Sequence, residues 1–146
     1  MSDYTVELEG TDELLRNLNR ISGDLRGKVA KEAVNAGALM IKDKAVQNAP
    51  VKTGNLRNSA IVESSATGNG AEAVVRFRMV YSRIQEFGGT ITARNKPYLV
   101  YQVKGHWRKS KSVKITGKHY LSRAINSEKG LAVKAMSDVV SAYLGK

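Results

Sequence analysis

A chain of 146 residues with 42% hydrophobic residues is long and apolar enough to bury one core, which excludes general disorder. It has no cysteine, which excludes disulfides and thiolate metal sites. Its formal charge of +11, from 24 Lys plus Arg against 13 Asp plus Glu, points to a polyanion or an acidic protein surface as partner.

Residues 4–9, Tyr-Thr-Val-Glu-Leu-Glu, alternate apolar and polar as a half-buried strand does, and Gly10 breaks the run. Thr11 suits a helix cap, with Asp12 and Glu13 in the first turn, where the helix dipole favours anions. Leu14, Leu15, Leu18, Ile21 and Leu25 then fall near one helical face, with a break expected near Ser22–Gly23 and a restart. Neither a secretory leader nor a membrane span is expected: the opening residues lack the basic-then-apolar pattern, and no apolar run approaches the ~18 residues a bilayer needs. Synthesis in the cytosol fits both.

The spacing predicts a long helix from Leu25 to Gln47, with Val29, Ala33, Ala36, Met40, Ile41 and Ala45 at three- and four-residue steps. Its stripe is mostly small residues, which suit either tight packing on a sheet or a subunit contact. Pro50 ends the helix, because the residue before a proline is pushed out of helical geometry. Thr53-Gly54 reads as a turn and Leu56 as a return to the core.

Strands are predicted over 59–65 and 72–80, joined by a Gly-rich hairpin loop. In the second, Ala73, Val75, Phe77 and Met79 alternate with a face that carries Arg76 and Arg78. One or two helical turns follow from Tyr81 to Gly88, and Gly88-Gly89 stops them. Tyr98 to Val103 is apolar on both faces and reads as a third, central strand buried on both sides or covered by another subunit. Residues 105–111 read as a loop, 112–116 as a short strand, and Tyr120 to Leu144 as a closing helix that Gly130 weakens. Flexible loops are expected about 64–72 and 104–112.

The charge imbalance is local. From Phe87 to Ser127 there are nine Lys or Arg and no Asp or Glu. Within this segment Arg94, Lys96, Lys104, Trp107, Arg108, Lys109, Lys111 and Lys114 are the candidates for contact with DNA or a partner protein. Trp107 among cations, with Tyr98 and Tyr101 upstream, has the composition that stacks bases and holds phosphate, although no base-reading motif accompanies it.

Chemistry is not expected. The two histidines, His106 and His119, lie in the acid-free segment without ligands to complete a metal site. No nucleophile elbow or phosphate-cradling Gly-rich loop occurs, and Glu63, Glu72 and Glu86 are scattered. No catalytic residue, metal or cofactor is assigned.

Two runs carry a resemblance: Ala49-Pro50-Val51-Lys52-Thr53-Gly54-Asn55-Leu56 and Ile84-Gln85-Glu86-Phe87-Gly88. With the Glu-Gly-Thr-Asp-Glu-Leu-Leu start, the alanine-rich helix and the Tyr120-Leu121 pair before the last helix, the order is similar to that of the tail-completion, or neck, proteins of long-tailed bacteriophages, which include the minor tail protein Z type and related virion-morphogenesis proteins. The resemblance extends over nearly the whole chain. Where that family commonly has Ala-Arg-Pro-Phe/Tyr-Leu, this chain has Gly117-Lys118-His119-Tyr120-Leu121.

The resemblance implies a single α+β domain, a small and mostly antiparallel sheet packed against a long helix in the N-terminal half and a C-terminal helix. It implies a non-enzymatic ring, hexameric in form, at the head–tail junction of the virion. DNA would pass through the lumen, touched without sequence preference, with head-completion or connector proteins on one side and tail terminator or tail tube proteins on the other. Leu56, Ile84, Phe87, Gly88, Tyr98, Tyr101, Tyr120 and Leu121 would anchor the fold or the subunit interface. The reading from another class is a basic nucleic-acid-binding domain acting alone.

Overall fold

The computed structural model describes residues 2–5, 12–21, 23–51, 54–66 and 70–144, with side chains from residue 12 onward except Asp24. Two long helices set its frame. α2 (Gly23–Asn48) and α5 (Tyr120–Tyr143) pack along each other, with α1 (Asp12–Asn19) beside them. The small stripe of α2 makes this approach possible: a Cβ on Gly37 would sit 3.0 Å from the Met136 side chain and 3.3 Å from the Ala132 carbonyl. The stripe is therefore used within the chain, against α5 as well as against the sheet. Gly130 does not break α5.

The break after the first helix falls where the sequence places it, and Arg26 closes it by donating to the carbonyls of Asn19 and Ile21. At the far end of α2, Arg57 donates to the carbonyls of Gln47 and Ala49, a cation at the end of a helix where its dipole favours one. Arg57 belongs to a single helical turn, α3 (Asn55–Asn58), entered through Gly54 at φ +84°. Leu56 of that turn is buried.

A three-stranded antiparallel sheet covers α2. Its order is β1 (Ser2–Thr5), β3 (Ala71–Phe77), β2 (Ala60–Ala66). Ala73, Val75 and Phe77 point into the core as their alternation predicts, and Arg76 meets Glu63 at 2.9 Å across the strands. Three expectations change here. The first strand begins at Ser2, while residues 6–11, with the Thr11 cap, lie outside the described residues. β3 stops at Phe77 rather than Val80, because the chain turns at Met79 and leaves Val80 exposed. The loop expected over 64–72 is shorter, since the strands continue to Ala66 and resume at Ala71.

The core has two clusters. One joins Ile41, Leu56, Val75, Phe77, Tyr120 and Leu121, and the other joins Leu14, Leu18, Ile21, Val29 and Val140. Phe77 and Tyr120 meet edge to face at 4.9 Å, a geometry that adds roughly 0.5–1.5 kcal/mol beyond burial. The Tyr120 hydroxyl donates to the Ser82 carbonyl, so a buried polar tip is satisfied.

The architecture is α+β, as the resemblance implies. The departure lies in the segment after α4 (Ser82–Phe87). The run Tyr98–Val103 is not a central strand. β4 (Gly88–Thr92) pairs with β7 (Ser112–Thr116), and β5 (Leu99–Val103) pairs with β6 (His106–Ser110), all antiparallel. The Ala93 amide donates to the Lys111 carbonyl and continues the outer ladder inward. The result is one long two-stranded arm, with residues 94–98 as an insertion on one side. β5 finds its partner locally because Lys104 and Gly105 both take φ > 0, the requirement of the tight hairpin turns whose twist matches the strands. So 104–112 is a turn and a strand rather than a loop.

Candidate functional site

The arm is the most distinctive surface of the chain. Between Gly88 and Thr116 it carries seven Lys or Arg and no Asp or Glu. All eight candidate contact residues are exposed and all lie on it. Arg94 and Lys96 are in the insertion, Lys104 is at the turn, Trp107, Arg108 and Lys109 are on β6, Lys111 joins β6 to β7, and Lys114 is on β7.

Register sorts the inner ribbon into two faces. Val100, Gln102, Trp107 and Lys109 share one, while Leu99, Tyr101, Val103, His106, Arg108 and Ser110 share the other. On the first face Lys109 Nζ sits 4.9 Å from the centre of the Tyr98 ring, a cation–π contact. On the second the Ser110 hydroxyl donates to the Tyr101 hydroxyl. Trp107 is 70% exposed and Val100 65%, which is unusual for large apolar side chains on a strand. A two-stranded ribbon is marginal alone in water, and open strand edges offer a template for further pairing.

The root of the arm is tied to the body by hydrogen bonds. Glu86 is fully buried, and its carboxylate accepts the amides of Leu121 and Ser122 at 2.9 Å each, together with the Ser122 hydroxyl. Those amides open α5, so a negative charge sits at the positive end of that helix. The backbone joins in: the Lys118 amide donates to the Gln85 carbonyl and the His119 amide to the Glu86 carbonyl. His119 precedes α5 at φ +51° and makes no side-chain cap. A proline there, as in the related pattern, could not take that angle.

The expected anchors divide. Leu56, Tyr120 and Leu121 are in the core, Gly88 is at the arm's root, and Ile84 and Tyr101 are partly buried. Phe87 is 49% exposed, with Arg83 over its ring at 5.2 Å, and Tyr98 is exposed on the arm. Phe87 is therefore not an anchor in the core of this chain, and truncating its half-exposed ring would leave no buried cavity. Glu86, between Ile84 and Phe87, fastens the short helix instead. No sequence motif marks Glu86, yet one signal points to such a group: the last helix starts without Ser, Thr, Asp or Asn, so its first amides need an acceptor from elsewhere.

The two resemblance runs meet in space. Pro50, Val51, Gly54, Asn55 and Leu56 face Tyr81 and Gln85 across a groove of about 420 Å³. Among the described residues its lining holds no carboxylate or histidine, so these residues offer no acid–base pair. His106 is on the arm and His119 is before α5, and among the described residues no three His, Asp or Glu side chains gather as ligands. Among the same residues no helix is long and apolar enough to cross a membrane.

The family described as "Bacteriophage HK97-gp10, putative tail-component" matches residues 12–88, more than half of the chain. That range runs from α1 to the first residue of β4, and the rest of the arm and α5 lie beyond it. No curated protein and no solved structure matches. With both of its resemblance runs inside the matched range, the chain belongs to the HK97-gp10-like family of bacteriophage tail components.

Proposed function

We propose that this phage structural protein is a non-enzymatic neck subunit of the tail-completion type, close to the minor tail protein Z and virion-morphogenesis proteins. Copies close a ring, hexameric in form, between the head-completion or connector proteins and the tail terminator or tail tube, and DNA passes through the lumen. Membership of a tail-component family supports a role in the virion. The observation that carries the finer reading is the arm. It is acid-free, rooted by a buried carboxylate and lined with exposed Val100 and Trp107, features of a docking element rather than a reaction site.

In this reading Arg108, Lys109 and Lys111 dock on protein rather than line the channel, since a strongly basic lumen would hold DNA and slow its exit. Changing all three to Ser is expected to block head–tail joining in vitro, leaving filled heads and free tails. Normal joining with altered DNA ejection would place these residues against DNA instead. Labelling at the neck of intact virions tests the location directly.

Trp107 among cations favours one other reading, a basic domain that binds nucleic acid alone. A monomer by light scattering, with a steep salt slope in a DNA shift assay, would support it over the joint.

A further inference from the structure

β4 with β7 and β5 with β6 are strand pairs, and among the described residues no third strand lies on either side of them. At the root α4 lies against both strands, while β5 and β6 make their contacts chiefly with each other. A sheet that holds in water needs a third strand or a helix on its face, so the inner ribbon is short of a partner. The two edges of the arm differ. One is interrupted between Thr92 and Leu99 by the insertion. The other runs from His106 to Thr116 with only Lys111 between β6 and β7, about 36 Å at ~3.3 Å per residue.

Side chains are exposed on both faces of the ribbon. Trp107 and Lys109 stand with Val100 on one, and Arg108 stands with Val103 on the other. A flat partner laid on the ribbon would meet one face only. A strand added at the edge sends alternate side chains to each face, so cations and apolar residues on both gain a cross-strand neighbour. Duplex DNA would answer the cations but not Val100, Val103 or the open backbone groups.

Charge selects the occupant. Residues 106–116 hold four Lys or Arg and no Asp or Glu. The same edge of a second copy would set cations against cations, the arrangement by which lysines keep open edges apart. A strand that alternates carboxylates with apolar residues meets both the charge and the exposed apolar surface.

We propose that 106–116 is a strand-addition site, which takes an extended acidic segment of a partner protein as the third strand of the arm. The backbone of the segment pairs with the open edge. Its carboxylates lie beside Arg108, Lys109, Lys111 and Lys114, and its apolar side chains pack beside Trp107. Ser112 is the weak point of the ladder, since its carbonyl already accepts from the Ser110 hydroxyl. The site rests on the neck reading only in giving the arm a protein partner.

The probe is a blocked peptide of about ten residues alternating glutamate and valine, added to the full chain, with amide hydrogen exchange as the readout. Binding is expected to slow exchange within 106–116 and to leave β2, at an edge of the body's own sheet, unchanged. The same peptide N-methylated at every residue keeps its side chains and has no donor, and is expected to bind at least ~10-fold more weakly. Arg108→Glu/Lys109→Glu/Lys111→Glu/Lys114→Glu is expected to lose the glutamate peptide and to take a lysine–valine peptide instead, which a misfolded chain cannot do. If that variant fails to fold by circular dichroism, its serine counterpart replaces it and is expected to lose the glutamate peptide without gaining the other.

Unchanged exchange in 106–116, equal binding of the N-methylated peptide, or a variant that keeps its preference for glutamate would each overturn the proposal. So would a duplex DNA on the arm that the peptide cannot displace, which would give the edge to nucleic acid. Any of these with labelling still at the neck leaves the neck reading standing. Strand addition on a protein that is not labelled at the neck does the reverse.

Discussion

A Cβ on Gly88 would lie 2.7 Å from the backbone nitrogen of Gly117, and one on Gly117 would lie 2.9 Å from the backbone nitrogen of Gly88. Two backbones pass at the root of the arm with no room for a methyl group between them. Gly88 also holds φ +78°, where side chains are strained. Gly88→Ala and Gly117→Ala are each expected to cost roughly 2–3 kcal/mol. Urea unfolding followed by circular dichroism checks this, and an unchanged midpoint for both would mean the crossing is looser than described.

Glu86→Ala removes the acceptor for two amides and a hydroxyl at the start of α5. Buried donors left without partners cost roughly 1–3 kcal/mol each, so a loss of ~2–5 kcal/mol is expected. Glu86→Gln keeps one of the two accepting oxygens and turns an NH2 donor on the N–H that the other one served, so it should cost about 1–3 kcal/mol. Hydrogen exchange at Leu121 and Ser122 reads the same loss locally, and their protection should fall before that of Ala132.

Phe87→Ala should lower stability by less than ~1 kcal/mol, because a half-exposed ring leaves no cavity. Leu121→Ala, at a fully buried position, should cost about 2–5 kcal/mol. The two measured side by side separate a surface aromatic from a core anchor. A large loss for Phe87→Ala would contradict the placement of its ring.

The Tyr143 hydroxyl donates to Glu32 at 2.8 Å, and that hydrogen bond, with smaller contributions from desolvation and the Glu32 charge, raises the phenol above its ordinary 10.0. The neutral phenol is the favoured form. Whatever stability the bond contributes is fully present below pH ~10 and is lost as pH rises through the raised value. The difference in phenolate absorbance between wild type and Tyr143→Phe isolates this group. Glu32→Gln should return its midpoint towards 10.0.

Much of the body was legible because its signals are local. The periodicity from Leu25 to Gln47, the stop at Pro50, the alternation of Ala73, Val75 and Phe77, and the strand at 112–116 all act over a few residues. The arm was not. Tyr98–Val103 has the composition of a buried strand, and only the φ > 0 pair at Lys104 and Gly105 turns it into half of an exposed hairpin. That choice depends on two backbone angles, not on hydrophobicity. The acid-free stretch and its contact candidates were visible, but Glu86 was not, because its partners are more than thirty residues away.

The arm leaves the body at Gly88 and returns at Thr116, which are paired neighbours. A segment whose ends already touch can lengthen, shorten or change its side chains without moving the elements on either side. Selection on what the arm grips is thereby uncoupled from selection on whether the body folds. The family match stops at Gly88, the residue where this freedom starts. Replacing 90–114 with a two-residue turn should therefore yield a chain that folds as before and has lost only its reach.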